Sequence, residues 1–590
     1  MCGFVVVYGN QKIPNLNKVI SESIDFIKHR GPDSKNFYSD NNITFAFQRL
    51  SIMDLSSKGS QPMISSNNRY VIVFNGEIYN FNELKKKIFF LGFKINSKSD
   101  TEILLNCYQV FKEKIINELI GIFSFIIYDK KKNSLFVARD PFGVKPLYYV
   151  KLNNGYIFAS EIKSFLPFAQ RNIINWDLNE NCLYEQLVFR CLSGESTLIK
   201  NIKKVLPGYY FLINENNFSK KKYYNTSRVK RLNFNSFTNY EYEVENLLKN
   251  SVKNQMISDA EIGIALSGGI DSSLITAFAS KFSKKKLNTF SIIFEKKSFG
   301  GEIFDESEYI KYITKKFNTN HNYDILTEKK YFDLFTKCIW HNDEPLNFPH
   351  SVGIYLLSNL AHNNNCKVLL GGEGADEFFA GYDSFKEKAI GKYKYSFSNP
   401  GLIKQLVLNY RNKNLTRDKY FKNSFKKINK QIYFSVNTYL QSIENRLDKM
   451  SMANSIEFRV PFIDKKIYEL SLNLPDNLKI NNKETKFILK KIAEKHFIKE
   501  HVYRKKIGFS IPINEWLRNK KLMGSYVSIL SEKKTIDRNL YDKKFLEKLI
   551  YKFNNFPDQS KIYSSSGIIW SLINMELWCR MFLDNKNFKY

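Results

Sequence analysis

The stretch Ala265–Ile275, ALSGGIDSSLI, constrains this chain more than any other. An apolar strand ends at Leu266, a turn runs through Ser267, Gly268, Gly269, Ile270, Asp271 and Ser272, and a helix begins. A strand that feeds a helix through a glycine turn is the repeating unit of a doubly wound parallel sheet, with sites beyond the carboxyl ends of the strands. The two glycines let backbone N–H groups approach an anion without interference from a Cβ. The new helix start adds partial positive charge, and the Ser267 and Ser272 hydroxyls can donate to phosphate oxygens. Asp271 would repel a phosphate unless it holds a Mg²⁺ that neutralises it. Gly-Gly followed by Asp-Ser is too specialised for a plain strand–turn–helix with a Ser/Asp cap.

A second strand end supports this reading. VLLGGEGADEFFAGYD (Val368–Asp383) places Glu373, Asp376 and Glu377 after another apolar run. Acids gathered at a glycine turn are costly unless solvated or metal-bound. Parallel strands would bring Asp271 and Asp376 together as a Mg²⁺ pair. From about residue 240 the chain alternates strand and helix, and from about residue 385 it is mostly helical.

The first 210 residues follow a different grammar. GFVVVYG, ITFAFQRLSIMD, YVIVFNGEIYN, GIFSFIIYD and LYYVKLNNGYIFAS are short apolar or alternating strands bounded by Gly, Asn, Asp and Pro, with helical patterns between them. This is a layered α+β pattern. The polar, basic stretch after LPGYY reads as an exit strand and linker.

Cys2 opens the chain. A cysteine at a strand start is by itself more often a core thiol. Removal of Met1 would instead leave thiol and α-amine on one residue, and an α-amine of pKa ~7.7–8.0 is an apt base for a thiol nucleophile. Polar clusters in the same region tip the balance: HRGPD (His29–Asp33), QRLSIMD (Gln48–Asp54), FNGEIYN (Phe74–Asn80) and SKSDTE (Ser97–Glu102). Arg49 suits a ligand carboxylate, Glu77 and Asp100 an ammonium, and the Asn75 amide with the Gly76 N–H an oxyanion. That set complements glutamine.

Composition narrows the partners. The formal net charge is +32, but lysines lie in small scattered clusters such as Lys85–Lys87 and Lys284–Lys286 with no basic stripe, so no nucleic-acid partner is expected. The positive field would equally suit an anionic substrate. Seven cysteines, none in a CxxC pair, argue against disulfides and structural zinc and fit a reducing cytoplasm. No apolar run approaches the ~18–20 residues of a bilayer span, and no secretory signal is visible, so no membrane insertion is expected. A homodimer is left open.

In order and spacing these motifs resemble the glutamine-hydrolysing asparagine synthetase family over essentially the whole chain. MCGF, HRGPD, RLSIMD, NGEIYN, SDTE and ARDPFGVKPLYY are similar to a class II glutamine amidotransferase domain. SGGIDSS, DEPL, GGEGADE, SMANSIEFRVPFID and RKKIGFSIP are similar to an N-type ATP pyrophosphatase. The resemblance implies an Ntn-hydrolase αββα glutaminase sandwich over residues 1–210, a linker over 211–245, and a doubly wound synthetase domain with a helical C-terminal part over 246–590. It implies that Cys2 attacks glutamine and that Arg49, Leu50, Ser51, Ile52, Met53, Asn75, Gly76, Glu77 and Asp100 hold it. Ala265, Leu266, Ser267, Gly268, Gly269, Asp271, Ser272, Ile292, Gly371, Gly372 and Lys506 would bind ATP and pyrophosphate, Asp271 and Asp376 would ligate Mg²⁺, and Glu373 would support acyl-adenylate chemistry. Ammonia would pass between the sites through an internal channel. Two positions depart from the family pattern: Gly371 stands where many members carry serine, and Lys449 where arginine is usual. Both are expected near the nucleotide or the acceptor. The expected reaction amidates aspartate; the alternative acceptor is another carboxylate, such as a sugar uronate. SGGxDS loops also occur in tRNA-thiolating enzymes, but the complete glutaminase half and the lack of CxxC pairs count against that class.

Overall fold

The computed structural model describes residues 2–9, 13–229, 236–294, 306–387, 394–410, 415–421, 425, 427–504, 511–556 and 564–584. The N-terminal part stacks two six-stranded sheets whose neighbouring strands are antiparallel. In spatial order the first runs Lys203–Lys204, Tyr148–Leu152, Gly155–Ala159, Gly3–Tyr8, Ile43–Arg49 and Ser34–Asp40. The second runs Phe218–Lys222, Tyr209–Ile213, Ser134–Arg139, Gly121–Asp129, Tyr70–Ile78 and Met63–Ile64.

Alternation along Gly3–Tyr8 explains the layering. Phe4, Val6 and Tyr8 point into the core between the sheets with Phe45, Phe47, Val71, Val73 and Ile126. Val5 and Val7 face the opposite side, among Val19, Ile20 and Ile24 of helix Leu16–Asp25. The second sheet is covered by helices Phe81–Phe90 and Asp100–Phe111 through Ile72, Phe74, Leu84, Ile88 and Leu104. The order is helix, sheet, sheet, helix, the αββα sandwich expected.

One expectation is corrected. The stretch after LPGYY forms a hairpin, Tyr209–Ile213 with Phe218–Lys222, that extends the second sheet beyond residue 210. Its outer strand lies at the sheet edge, where alternate residues face water, so FSKKK reads as linker by composition alone.

The second part is built on a parallel five-stranded sheet ordered Asn320–Ile325, Asn288–Ile293, Ile262–Ala265, Val368–Leu370 and Glu457–Arg459. Strand order departs on both sides of Ile262–Ala265, so the ends of Ile262–Ala265 and Val368–Leu370 open into a crevice. Helices Ile270–Phe282 and Ser351–Asn363 and the 26-residue helix Lys427–Met452 pack around it.

Candidate active sites

The first site lies where the two sheets of the sandwich meet. Cys2 immediately precedes Gly3–Tyr8, and Asn75 and Gly76 lie on Tyr70–Ile78 of the facing sheet. The Cys2 backbone N donates to Asn75 Oδ1 (3.1 Å), and the thiol lies 3.9 Å from the Leu50 carbonyl. Once Met1 is removed that nitrogen is an α-amine, fixed on the residue that carries the thiol. Burial raises the Cys2 thiol pKa, opposed by the Leu50 backbone and by the charge of Arg49, so the thiol requires a base. Asn75 Nδ2 is buried and has no hydrogen-bond partner among the described residues, which leaves it available to an oxyanion. At Gly76 φ is 153°, and a Cβ there would lie 2.0 Å from the Ile122 carbonyl oxygen; only glycine fits this crossing of strands.

The loop after Ile43–Arg49 divides its duties. Leu50 and Ile52 are core side chains, so they can meet a ligand only through their backbone. Arg49 donates from Nη1 to the Ser56 carbonyl (2.7 Å) and from Nη2 to the Asp54 carbonyl, and so shapes the loop. Ser51 N donates to Asp33 (2.7 Å), while Met53 is half-exposed. Glu77 and Asp100 are both buried. Burial and the neighbouring Glu457 raise the Glu77 carboxyl. Burial pushes Asp100 up to about 6, against a hydrogen bond from Ile78 N (2.9 Å). Arg459, from the parallel sheet, reaches to 3.3 Å from Glu77.

The second site occupies the crevice of the parallel sheet, a cavity of about 330 Å³ lined by Ala265, Leu266, Ser267, Gly269, Asp271, Ser272, Ile292, Gly372, Glu373 and Asp376. Leu266 N extends the ladder to Phe290 O (2.9 Å), after which Gly268 turns with φ 74° and the helix starts at Ile270. Ser272 Oγ accepts from Ser267 N (3.2 Å), lies 3.1 Å from Ser267 Oγ and donates to Gly269 O (3.1 Å), closing the loop on itself. A Cβ on Gly372 would lie 2.7 Å from Asp271 Cβ, so glycine allows the two strand-end turns to touch. That contact brings Asp271 and Asp376 together. Their carboxylates lie 2.5 and 2.7 Å from one atom, Lys486 Nζ. Against the lowering effect of burial, the two acids raise the Lys486 pKa, so the lysine is charged. Two carboxylates converging on a single cationic point fit a divalent ion that takes its remaining oxygens from phosphate and water.

Sequence reasoning missed Lys486; no motif flags it among many lysines. Lys506 lies outside the described residues. Arg504, in the same RKKIGFSIP stretch, donates to the Gly268 carbonyl (3.0 Å) and pairs with Glu306 (2.6 Å), bracing the Ser267–Ser272 turn. Also missed were Arg446 and His350, whose Nη1 and Nε2 touch in the same cavity. Burial and Arg446 lower the His350 pKa well below its usual value, so the imidazole is neutral beside the guanidinium. Burial raises Glu373, opposed by Arg446.

The two departures have structural explanations. A Cβ on Gly371 would stand 2.3 Å from the Phe458 ring and 2.5 Å from Glu373 Oε2, so the ring occupies the space a serine needs. The sequence places Lys449 near the nucleotide or acceptor; in the structure it does not line the second cavity. It is fully buried between the two halves, 2.5 Å from Asp343 and 4.0 Å from Glu161. Glu161 in turn meets Lys163 and Arg30, and Arg30 bonds Asp448 at 2.8 Å. Arg30 Nε also donates to the Cys2 carbonyl (3.1 Å). One buried ionic network therefore joins the backbone of Cys2 to the long helix whose Ile443 and Arg446 line the second cavity.

Comparison with known proteins agrees with this geometry. Residues 1–224 match the glutamine amidotransferase domain family and residues 243–580 the asparagine synthase family. Glutamine-hydrolyzing asparagine synthetase 1 of Bacillus subtilis (strain 168) is 34% identical over 98% of this chain and 97% of its own length. Asparagine synthetase 3 of the same organism is 29% identical over 93% of each chain. A putative asparagine synthetase of Mycobacterium tuberculosis (strain ATCC 25618 / H37Rv) is 26% identical over 96% of this chain and 94% of its own. Similar in both halves and along nearly its full length to glutamine-hydrolysing synthetases, the chain belongs to the asparagine synthase family.

Proposed function

We propose that this ligase uses ATP to activate the β-carboxylate of aspartate as an acyl-adenylate and transfers to it the amide nitrogen of glutamine, so that glutamine, aspartate, ATP and water give glutamate, asparagine, AMP and pyrophosphate. Cys2 attacks the glutamine amide, with its own α-amine, freed of Met1, taking the thiol proton. The Asn75 amide and Gly76 N–H receive the oxyanion. Glu77 and Asp100 hold the glutamine ammonium, and the backbone of residues 50–53 lines the ligand.

In the second site the Ser267–Ser272 turn cradles pyrophosphate and Ile292 borders the adenine nucleotide. Asp271 and Asp376 would hold Mg²⁺, which when bound neutralises the phosphates. Lys486, which pairs with both acids, adds fixed positive charge beside them, where charge develops on the leaving pyrophosphate. Arg446 is the cation of the acceptor end of the cavity; beside a neutral His350 it favours an acceptor with a second carboxylate, as aspartate has. Glu373, pushed up by burial, is placed to manage the proton lost when ammonia becomes an amide.

The observation that supports this reading best is the Arg30 bridge, which ties the Cys2 carbonyl to Asp448 on the helix lining the synthetase cavity. Two unrelated activities would not need that shared buried frame. The test is acceptor-dependent pyrophosphate release: aspartate should elicit it and yield asparagine, whereas release elicited only by another carboxylate, such as a uronate, would reject aspartate.

A further inference from the structure

The wall between the two sites contains one carboxyl that nothing so far uses. Glu444 lies on the long helix Lys427–Met452, beside Ile443 and two residues before Arg446, both of which line the synthetase cavity. It is 1% exposed, and neither of its carboxyl oxygens has a hydrogen-bond partner among the described residues. The charged groups facing it are Glu373 and Glu377 from the synthetase side and Asp140 and Lys145 from the glutaminase side. Glu444 therefore stands between the halves.

Its neighbours are differently provided for. Asp140 accepts from the N–H groups of Phe142, Gly143, Val144 and Lys145 at 2.6–3.1 Å. Lys145 is also fully buried, its Nζ 3.5 Å from Asp448 and without a hydrogen-bond partner among the described residues. A buried acceptor left without a donor is destabilising, so the Glu444 carboxyl calls for a ligand that donates to it. Burial and Glu373 push the Glu444 carboxyl well above the usual range, which keeps it neutral.

We propose that the Glu444 carboxyl is the hydrogen-bonding station for ammonia in transit from Cys2 to the acyl-adenylate. This rests on the glutamine-to-amide reading above. Ammonia offers three N–H donors and a carboxyl oxygen accepts them; no proton changes hands, and a neutral station does not trap ammonium. Glu444 is a positioning residue: it acts on the nitrogen between the two reactions and on the chemistry of neither.

The test measures amide formed per glutamine hydrolysed in wild type, Glu444→Gln and Glu444→Met. Gln keeps a neutral acceptor, and Met keeps length and volume without one. Glu444→Gln should stay near the wild-type ratio. Glu444→Met should lose about fivefold in that ratio, the worth of one neutral hydrogen bond, while still hydrolysing glutamine. Equal ratios in all three proteins would overturn the proposal, as would an equal loss in Gln and Met. Failure of the Met variant to fold would overturn it too, by making the carboxyl a structural requirement. A wild-type protein that hydrolysed glutamine and never transferred its nitrogen would refute the underlying reading instead.

Discussion

Arg30 and Asp448, 418 positions apart in sequence, form a fully buried ion pair: Arg30 Nη1 lies 2.8 Å from Asp448 Oδ2 and Nη2 lies 3.3 Å from Oδ1. Arg30 belongs to the HRGPD turn and Asp448 to the helix that lines the second cavity. Breaking a buried pair leaves an uncompensated charge. Asp448→Ala should destabilise by about 3–5 kcal/mol, read as a fall in thermal midpoint, and the Arg30→Met/Asp448→Leu double variant should recover part of it. Additive losses in the double variant would show that the pair is not a unit.

The pH dependence of glutamine use follows from Asp100. Burial places its carboxyl at about 6. A ligand ammonium needs the ionised form, so protonation as the pH falls through that value weakens binding. The kcat/KM for glutamine should therefore decline below about pH 6 in the free enzyme. Asp100→Asn should lower kcat/KM at neutral pH and flatten the acid limb; an unchanged limb would assign it to another group.

Metal removal should separate the two halves. Chelation with EDTA should abolish pyrophosphate release and leave glutamine hydrolysis in place, because the Cys2 site has no need of a cation. Lys486→Met should do likewise, lowering acceptor-dependent pyrophosphate release by about 10²–10³ in kcat, the usual effect of deleting one charge-stabilising donor. Parallel loss of glutaminase activity would instead indicate a general structural defect.

Gly371→Ser introduces the serine that the family pattern leads one to expect, and here it should impair the enzyme. The added Cβ meets Phe458 at 2.3 Å and Glu373 at 2.5 Å. Overpacking of this kind is destabilising by about 1–3 kcal/mol. Pyrophosphate release should fall with glutamine hydrolysis unchanged; improved synthesis would show that Phe458 can yield.

Local features of this molecule were legible in sequence, and long-range electrostatics were not. Strand, glycine turn and helix around Ser267–Ser272 are neighbours along the chain, so their geometry follows from residue type. The Cys2–Asn75 contact could be anticipated because strand ends cluster in a sandwich. Lys486 could not, because a lysine 110 residues beyond Asp376 carries no local signal in a chain with 90 Lys and Arg. Arg30, Glu161, Lys163, Asp343, Asp448 and Lys449 look like surface residues by type; only their mutual neutralisation across the two halves permits burial. The edge hairpin at Tyr209–Lys222 was hidden for the opposite reason, since its polar residues face water within a true strand.

The central claim is that nitrogen released at Cys2 is delivered to aspartate. Purified protein given glutamine labelled with ¹⁵N at the amide, Mg-ATP, aspartate and unlabelled ammonium tests it directly. The account predicts ¹⁵N-asparagine formed in step with glutamate, total asparagine matching pyrophosphate, and a Cys2→Ala variant that makes only unlabelled asparagine from the ammonium. Labelled ammonia accumulating in solution without labelled asparagine, or labelled product from Cys2→Ala, would contradict it.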